Sequence, residues 1–456
     1  MELITKINSA INGFVWGPVM LTLLIGIGLF ISIKTGFLQF KKFGYMMRNT
    51  IFGLGSKDQR SKDSSGVSPF QAVATAMAGT IGTGSIAGLA TAIVCGGPGA
   101  VFWMWISALL GMVTKYSEIV LSINFREKNK QGEWVGGPMY YIRNGLKQNW
   151  LAVLFAIFAM IACLGTGNAT QSNSIAVALE STIGVKTWIT GIVLTVIAAA
   201  VILGGMRRIA SVNEKLVPFM AVFYVVASLV ALIINADRIP GAFALIFKEA
   251  FNFKAAAGGA AGYGIILAMH YGFSRGVFSN EAGLGSAPIA HAASSVKDPV
   301  KQGLWGMFEV FFTTIVICTC SALIILTTGI WDDGTLSGSA LSIASFNSVL
   351  PGFGGAVITL STIFFALSTI LGWAYYGEVC IGYLTKNAKL GVILYRCIYV
   401  AFVFLGAVGN LDLIWSISET MNGLMAIPNL IGIVCLIKVV ITLTKKHFNM
   451  KEEEKA

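Results

Sequence analysis

The chain reads as an all-α integral membrane protein of about 11 transmembrane helices, with two inverted five-helix repeats behind one extra N-terminal helix. Three observations predict this. Of its 456 residues, 55% are hydrophobic and only 12% charged, at a mean hydropathy of +0.76, a composition that belongs in a bilayer. Apolar windows of about 20 residues recur along the whole length, which makes one polytopic domain of residues 1–456. Two of these windows are interrupted by glycine, hydroxyl and charged residues at corresponding places in the two halves.

The windows run approximately 14–33, 69–95, 100–124, 151–178, 187–205, 217–235, 258–285, 303–329, 355–383, 391–409 and 422–443. The first is too long for the apolar core of a signal peptide and has no basic leader, so it is kept as a span. Alternate connections collect 25 Lys and Arg residues, against five on the other side. The positive-inside rule then places the amino terminus outside and residues 444–456 as a cytoplasmic tail, which requires an odd number of spans. The net charge of +11 needs no nucleic-acid partner, because a face beside anionic lipid carries such charge anyway. The seven cysteines lie in or beside apolar segments without metal-ligand spacing and act as small apolar residues.

The first interrupted window carries Gly79-Thr80-Ile81-Gly82-Thr83-Gly84-Ser85-Ile86-Ala87-Gly88. Each glycine costs about 1 kcal/mol of helix propensity relative to alanine. Unpaired backbone survives at membrane depth only inside protein or against a cavity. The segment therefore predicts a helix broken near Gly82 to Gly84, although small residues also serve close helix packing. The second interruption lies between Ala268 and Gly285, where His270, Ser274, Arg275, Asn280 and Glu281 enter an apolar run. With the 14–33 helix set aside, residues 69–235 and 258–443 each begin with a broken helix. Five spans per half invert the second half relative to the first. Broken helices so placed point to a secondary transporter's midplane site.

Other polar residues at depth have two readings. The apolar part of the fourth window, Leu151–Leu164, covers about 21 Å, so its helix must continue through Asn168 and Gln171. Those amides either bond a neighbouring helix or face a ligand. Lys115 and Glu118, one turn apart, are expected to pair with each other, and Arg275 with Glu281, Glu309 or Glu378. A channel would favour a continuous polar pore. An enzyme would need a nucleophile–base set or a metal cluster. With three histidines far apart in sequence, neither pattern is present, and no enzyme is expected.

Gly-Thr-Ile-Gly-Thr-Gly (79–84), Gly-Gly-Pro-Met-Tyr-Tyr (136–141), Gly-Val-Phe-Ser-Asn-Glu-Ala-Gly-Leu-Gly-Ser-Ala-Pro (276–288) and Ala-Ile-Pro-Asn-Leu-Ile-Gly (426–432) resemble the alanine or glycine:cation symporter family over essentially the whole chain. The resemblance implies a leucine-transporter-like core, sodium as the co-transported cation with no other cofactor, and uptake of a small neutral amino acid, with glutamine, serine or proton coupling as alternatives. It implies a monomer in the plasma membrane of a prokaryote. Many members carry Asn where this chain has Ser85.

An amino-acid carboxylate suits backbone amides at a half-helix N-terminus, for which the glycine spacing nominates Thr83 and Gly84, with Ser85 beside them. The ammonium wants carbonyls, which an unwound stretch around Tyr271, Gly272 and Phe273 would offer. Gln171 resembles the family's substrate-contacting amide. Sodium takes oxygen ligands, and the resemblance implies Ser368 and Thr369 with the carbonyls of Ala78 and Ile81. The plain reading of that Ser-Thr pair is back-bonding to the preceding turn. Trp373, about one turn on, is either a wall of the substrate pocket or an ordinary core residue. Arg275, Glu281 and Glu118 are expected as gating or structural charges.

Overall fold

The computed structural model describes residues 2–54, 66–251, 262–409 and 412–453, and these are almost entirely helical. Helices overlap all 11 predicted windows. By length and apolarity alone, eight cross a bilayer among the described residues, or nine if one bent pair counts as a span. Thr187–Ile202 is apolar but shorter. The exposed surface confirms the solvent: Val222, Val226, Leu229 and Ile233 of the Gly205–Ile234 helix point outward, Ile233 with 73% of its surface free. An apolar stripe of that size faces lipid.

Two long helices position the rest. Gly99–Phe125 is buried along most of its length and packs against Pro18–Lys34, Gly262–Asn280, Ala287–Ala292 and Pro299–Val310. Gly354–Leu384 packs against Pro69–Thr80, Asn149–Leu164, Thr170–Ile183 and Gly205–Ile234. The broken spans lie between them. The first consists of Pro69–Thr80, a tight turn at Thr83–Ser85 and Ala87–Gly96, with a bend of 59° across the break. Its start is fixed by a reciprocal cap in which the Ser68 hydroxyl accepts from the Gln71 amide and the Gln71 side chain accepts from the Ser68 amide, each at 3.2 Å.

The second broken span departs from expectation. Gly262–Asn280 is one uninterrupted helix, and the chain unwinds only at 281–286 before the short helix Ala287–Ala292. Tyr271, Gly272 and Phe273 are therefore helical, and their carbonyls are not freed by unwinding. The glycines there serve packing: a Cβ on Gly272 would lie 2.5 Å from the Ala100 carbonyl oxygen. The true break uses Glu281, Gly283 and Gly285, all at positive φ (55°, 91° and 84°). Ala426–Glu453 is a continuous helix, so the last predicted span runs on into the described part of the predicted tail. A helix at Glu2–Val15 precedes the first predicted span.

One tie joins the ends of the chain. His447 Nδ1 lies 2.6 Å from Asp298 Oδ2 and its Nε2 lies 2.9 Å from Tyr45 Oη. Asp298 also caps the Pro299–Val310 helix by accepting from the Val300 amide at 2.9 Å. Burial pushes the Asp298 carboxyl up, but the His447 bond and charge and the Val300 amide outweigh it and hold the pKa below the usual value. A carboxyl so depressed stabilises the fold above its ordinary pKa and loses that contribution as pH falls through the folded value. Asn is an equally good cap, so Asp298→Asn isolates the charge. The variant's apparent melting temperature in detergent should fall below the parent's at neutral pH, and the gap should close in acid below the usual carboxylate range. A gap independent of pH would assign the loss to shape rather than charge.

Candidate functional site

The first break accounts for each carbonyl that the helix end leaves over. The last turn of Pro69–Thr80 leaves the carbonyls of Ala78, Gly79 and Thr80 without the amides four residues on that a continuing helix would supply. Ala78 O accepts from Thr369 Oγ1 at 3.0 Å and Ser368 Oγ at 3.4 Å. Gly79 O accepts from Trp373 Nε1 at 3.3 Å, and Thr80 O from the Gly82 amide at 3.0 Å. Ser368 and Thr369 also back-bond to Phe365 O (2.9 and 2.8 Å), so the plain reading of this pair is realised alongside its approach to Ala78 O. Ile81 caps the half-helix in a non-helical conformation. Three oxygens that suit a hard cation thus meet at this helix end, the Ala78 carbonyl and the two hydroxyls, with Ile81 next to them only as the cap residue.

Across the gap, the Thr83–Ser85 turn starts the next half-helix. Its first backbone bonds run from Ser85 N to Gly82 O and from Ile86 N to Thr83 O, 3.2 Å each. The amides of Thr83 and Gly84 precede them, as an anion-binding N-terminus requires. The motif's glycines make room for side chains from other spans. A Cβ on Gly79 would meet Tyr376 Oη at 2.6 Å, one on Gly82 would meet Thr369 Oγ1 at 2.9 Å, and one on Gly84 would meet the Phe278 ring at 3.0 Å.

A cleft of about 20 Å³ opens between the two breaks, walled by Gly82, Gly84, Gln171, Phe278, Glu281 and Trp373, with Thr369 at its side. Room for little more than a water means that the walls must part for any organic solute to enter. Gln171 is positioned by a π-helical turn at Gly165–Ala169. Its Nε2 donates to Thr166 O and its Oε1 accepts from Thr83 Oγ1, each at 3.1 Å. Gly167 lets the Trp373 side chain seat against that turn. Trp373 then ties both breaks together, because Nε1 also reaches Glu281 Oε1 at 3.1 Å. Glu281 holds a left-handed backbone that non-glycine residues rarely adopt, and its Oε2 accepts from Ser286 Oγ at 2.5 Å.

Of the predicted residues, the cleft gathers Gly84, Gln171, Glu281, Thr369 and Trp373, with Thr83 reached through Gln171. It does not gather Ser85, whose hydroxyl meets Ser279 Oγ at 3.2 Å and whose carbonyl accepts from Ser321. Tyr271, Gly272 and Phe273 stand outside it, against Gly96, Ala100 and Trp103. Asn168 bonds the Tyr399 carbonyl at 2.7 Å, which is the interhelical reading. Phe278, Thr166 and Asn422 line the cleft without having been singled out from sequence.

The buried charges pair differently from expectation. Lys115 Nζ bonds Glu309 Oε1 at 2.8 Å, the Asn280 carbonyl at 2.7 Å and Thr80 Oγ1 at 3.2 Å, with no exposed surface on either member of the ion pair. It therefore does not pair with Glu118. Thr80 Oγ1 also donates to Glu309, and His291 Nε2 lies 3.3 Å from Glu309 Oε2. Glu118 Oε1 accepts from the Gly283 amide at 3.0 Å and from Asn429 Nδ2 at 2.5 Å. Asn429 bonds the Gly283 carbonyl and accepts from Tyr141. Arg275 makes no ion pair among the described residues, and its guanidinium lies 5.9 Å from the Phe278 ring centre. Glu309 is held by Lys115, Glu281 by Ser286 and Trp373, and Glu378 by Arg396 at 2.6 Å.

Tyr141, Gly283 and Asn429 come from three separate motifs, at 136–141, 276–288 and 426–432, and meet at the second break. The sequence profile of the sodium:alanine symporter family matches residues 1–456. The chain belongs to this family. It is similar to the sodium/alanine symporter AgcS of Methanococcus maripaludis, 46% identical over 100% of this chain and 99% of the relative. It is likewise similar to the probable sodium/glutamine symporter GlnT of Bacillus subtilis, 38% identical over 100% and 93%. Among solved structures, the manganese transporter of Eremococcus coleocola matches at TM-score 0.51 and 14% identity, over 78% of this chain and 74% of that one. That likeness shows the fold alone. Membership in the sodium:alanine symporter family makes this a membrane transporter, and it supports sodium-coupled symport of an amino acid.

Proposed function

We propose that the chain couples sodium entry to uptake of a small neutral amino acid, with alanine or glycine the first expectation, by alternating access across a prokaryotic plasma membrane. One observation carries the reading: two hydroxyls converge on Ala78 O at the end of one half-helix, while the amides of Thr83 and Gly84 begin the next across a single cleft. The first group suits sodium, with Ser368 and Thr369 turning their lone pairs to the ion beside Ala78 O and Ile81 O. The second suits a carboxylate. Binding both at one break couples them, because each ligand favours the arrangement the other needs.

In this reading residues 69–235 and 258–443 are inverted repeats, the amino terminus faces outward, and the two broken spans rock against the Gly354–Leu384 side. A glutamine substrate is the second reading, supported by the relative named for it. The test is uptake of labelled alanine into proteoliposomes with and without an inward sodium gradient, with glycine, serine and glutamine as competitors. Gradient-driven accumulation supports symport, and competition ranks the substrates. Uptake indifferent to sodium would overturn the coupling.

A further inference from the structure

We propose that Asn422 reads the side chain of the transported amino acid and lets the site accept a hydroxyl-bearing substrate, serine, at least as well as alanine. The inference rests on the symport reading and refines its substrate. Asn422 lies on the Asp412–Leu424 helix, outside both broken spans, on the wall of the same cleft as Gln171 and Trp373. It has 1% of its surface exposed, and its Oδ1 has no hydrogen-bond partner. Buried polar atoms are almost always paired, so an orphan on a residue that lines a ligand cleft points to a contact that the ligand completes.

The other polar groups on the cleft wall are already committed. Gln171 bonds Thr166 and Thr83, Trp373 bonds Gly79 and Glu281, and Thr369 bonds Ala78 and Phe365. The Thr166 hydroxyl lies 3.1 Å from Ser418 Oγ. Asn422 is also held in place. One turn earlier on its helix, Ser418 Oγ accepts from the Thr166 amide at 2.7 Å and donates to Ala162 O at 2.9 Å. This locks the helix to the π-helical turn that positions Gln171. A hydroxyl both donates and accepts, so it satisfies the Asn422 amide whichever end faces the cleft. Alanine brings only a methyl group and leaves the amide unpaired.

The experiment measures the KM of labelled serine and of labelled alanine in proteoliposomes under an inward sodium gradient, for the parent and for Asn422→Leu. Leucine keeps the branched heavy-atom shape and removes the amide. The parent should show a serine KM at or below that of alanine. Asn422→Leu should raise the serine KM relative to the alanine KM by about tenfold or more. A parent that takes alanine but excludes serine overturns the proposal without any variant, while symport stands. Equal loss for both substrates in Asn422→Leu also overturns it, assigning Asn422 to the common zwitterion or to packing. A parent that accumulates neither substrate overturns the symport reading itself.

Discussion

Lys115→Met is expected to lose about 3–5 kcal/mol of stability, the range for removing one partner of a buried ion pair. In detergent this should read as a collapse in monodisperse yield and in apparent melting temperature. The ammonium holds Glu309, Thr80 and the Asn280 carbonyl in a fully buried site. Without it the Glu309 carboxylate keeps, among the described residues, Thr80 and His291. The cost is chiefly that of an uncompensated buried charge, so Lys115→Met with Glu309→Gln should recover most of the loss. Recovery of transport should not follow. Thr80 and Asn280 are the final residues of Pro69–Thr80 and Gly262–Asn280, so Lys115 is what fastens the two half-helix ends to each other. A single variant as stable as the parent would remove the pair from any structural role, and a double variant with parental uptake would remove it from transport.

That hub also shows where sequence reading stops. The three-residue spacing of Lys115 and Glu118 put them on one helix face, yet a buried lysine takes whichever acid the tertiary fold supplies, here one 194 positions away. Local spacing ranks only local partners. The first break was legible because four glycines and three hydroxyls within ten residues have no other economical use in a membrane helix. The second was recognised but set about ten residues early. His270, Ser274 and Arg275 suggested unwinding around Tyr271, whereas Gly272 and Gly276 there bring the helix close to Ala100 and Ser107. Small residues four apart carry out such packing without breaking a helix. The real signal was Glu281-Ala282-Gly283-Leu284-Gly285, where alternate residues take positive φ. Gln171 came through the length its span needs and the family resemblance, and Trp373 through its place one turn beyond Thr369. Asn422 lies in a stretch whose pattern gives no hint that one amide turns inward, and only the three-dimensional wall of the cleft reveals it.

Ser368→Ala and Thr369→Ala should each raise the sodium concentration for half-maximal uptake about tenfold or more, equivalent to roughly 1.4 kcal/mol of ion affinity. Thr369 should be the more sensitive, since its hydroxyl lies 3.0 Å from Ala78 O against 3.4 Å for Ser368. Neither change should lower expression much. Each hydroxyl also bonds Phe365 O, and losing a back-bond while gaining alanine's helix propensity is close to neutral. At saturating sodium the amino-acid KM should return toward the parent's value, because the amides of Thr83 and Gly84 are untouched. This split separates an ion ligand from a residue that only braces the break. A bracing residue would depress uptake at every sodium concentration and shift the apparent melting temperature with it. Were both variants to keep the parent's sodium dependence, the convergence on Ala78 would be a hydrogen-bonded helix crossing, and the ion would have to bind elsewhere.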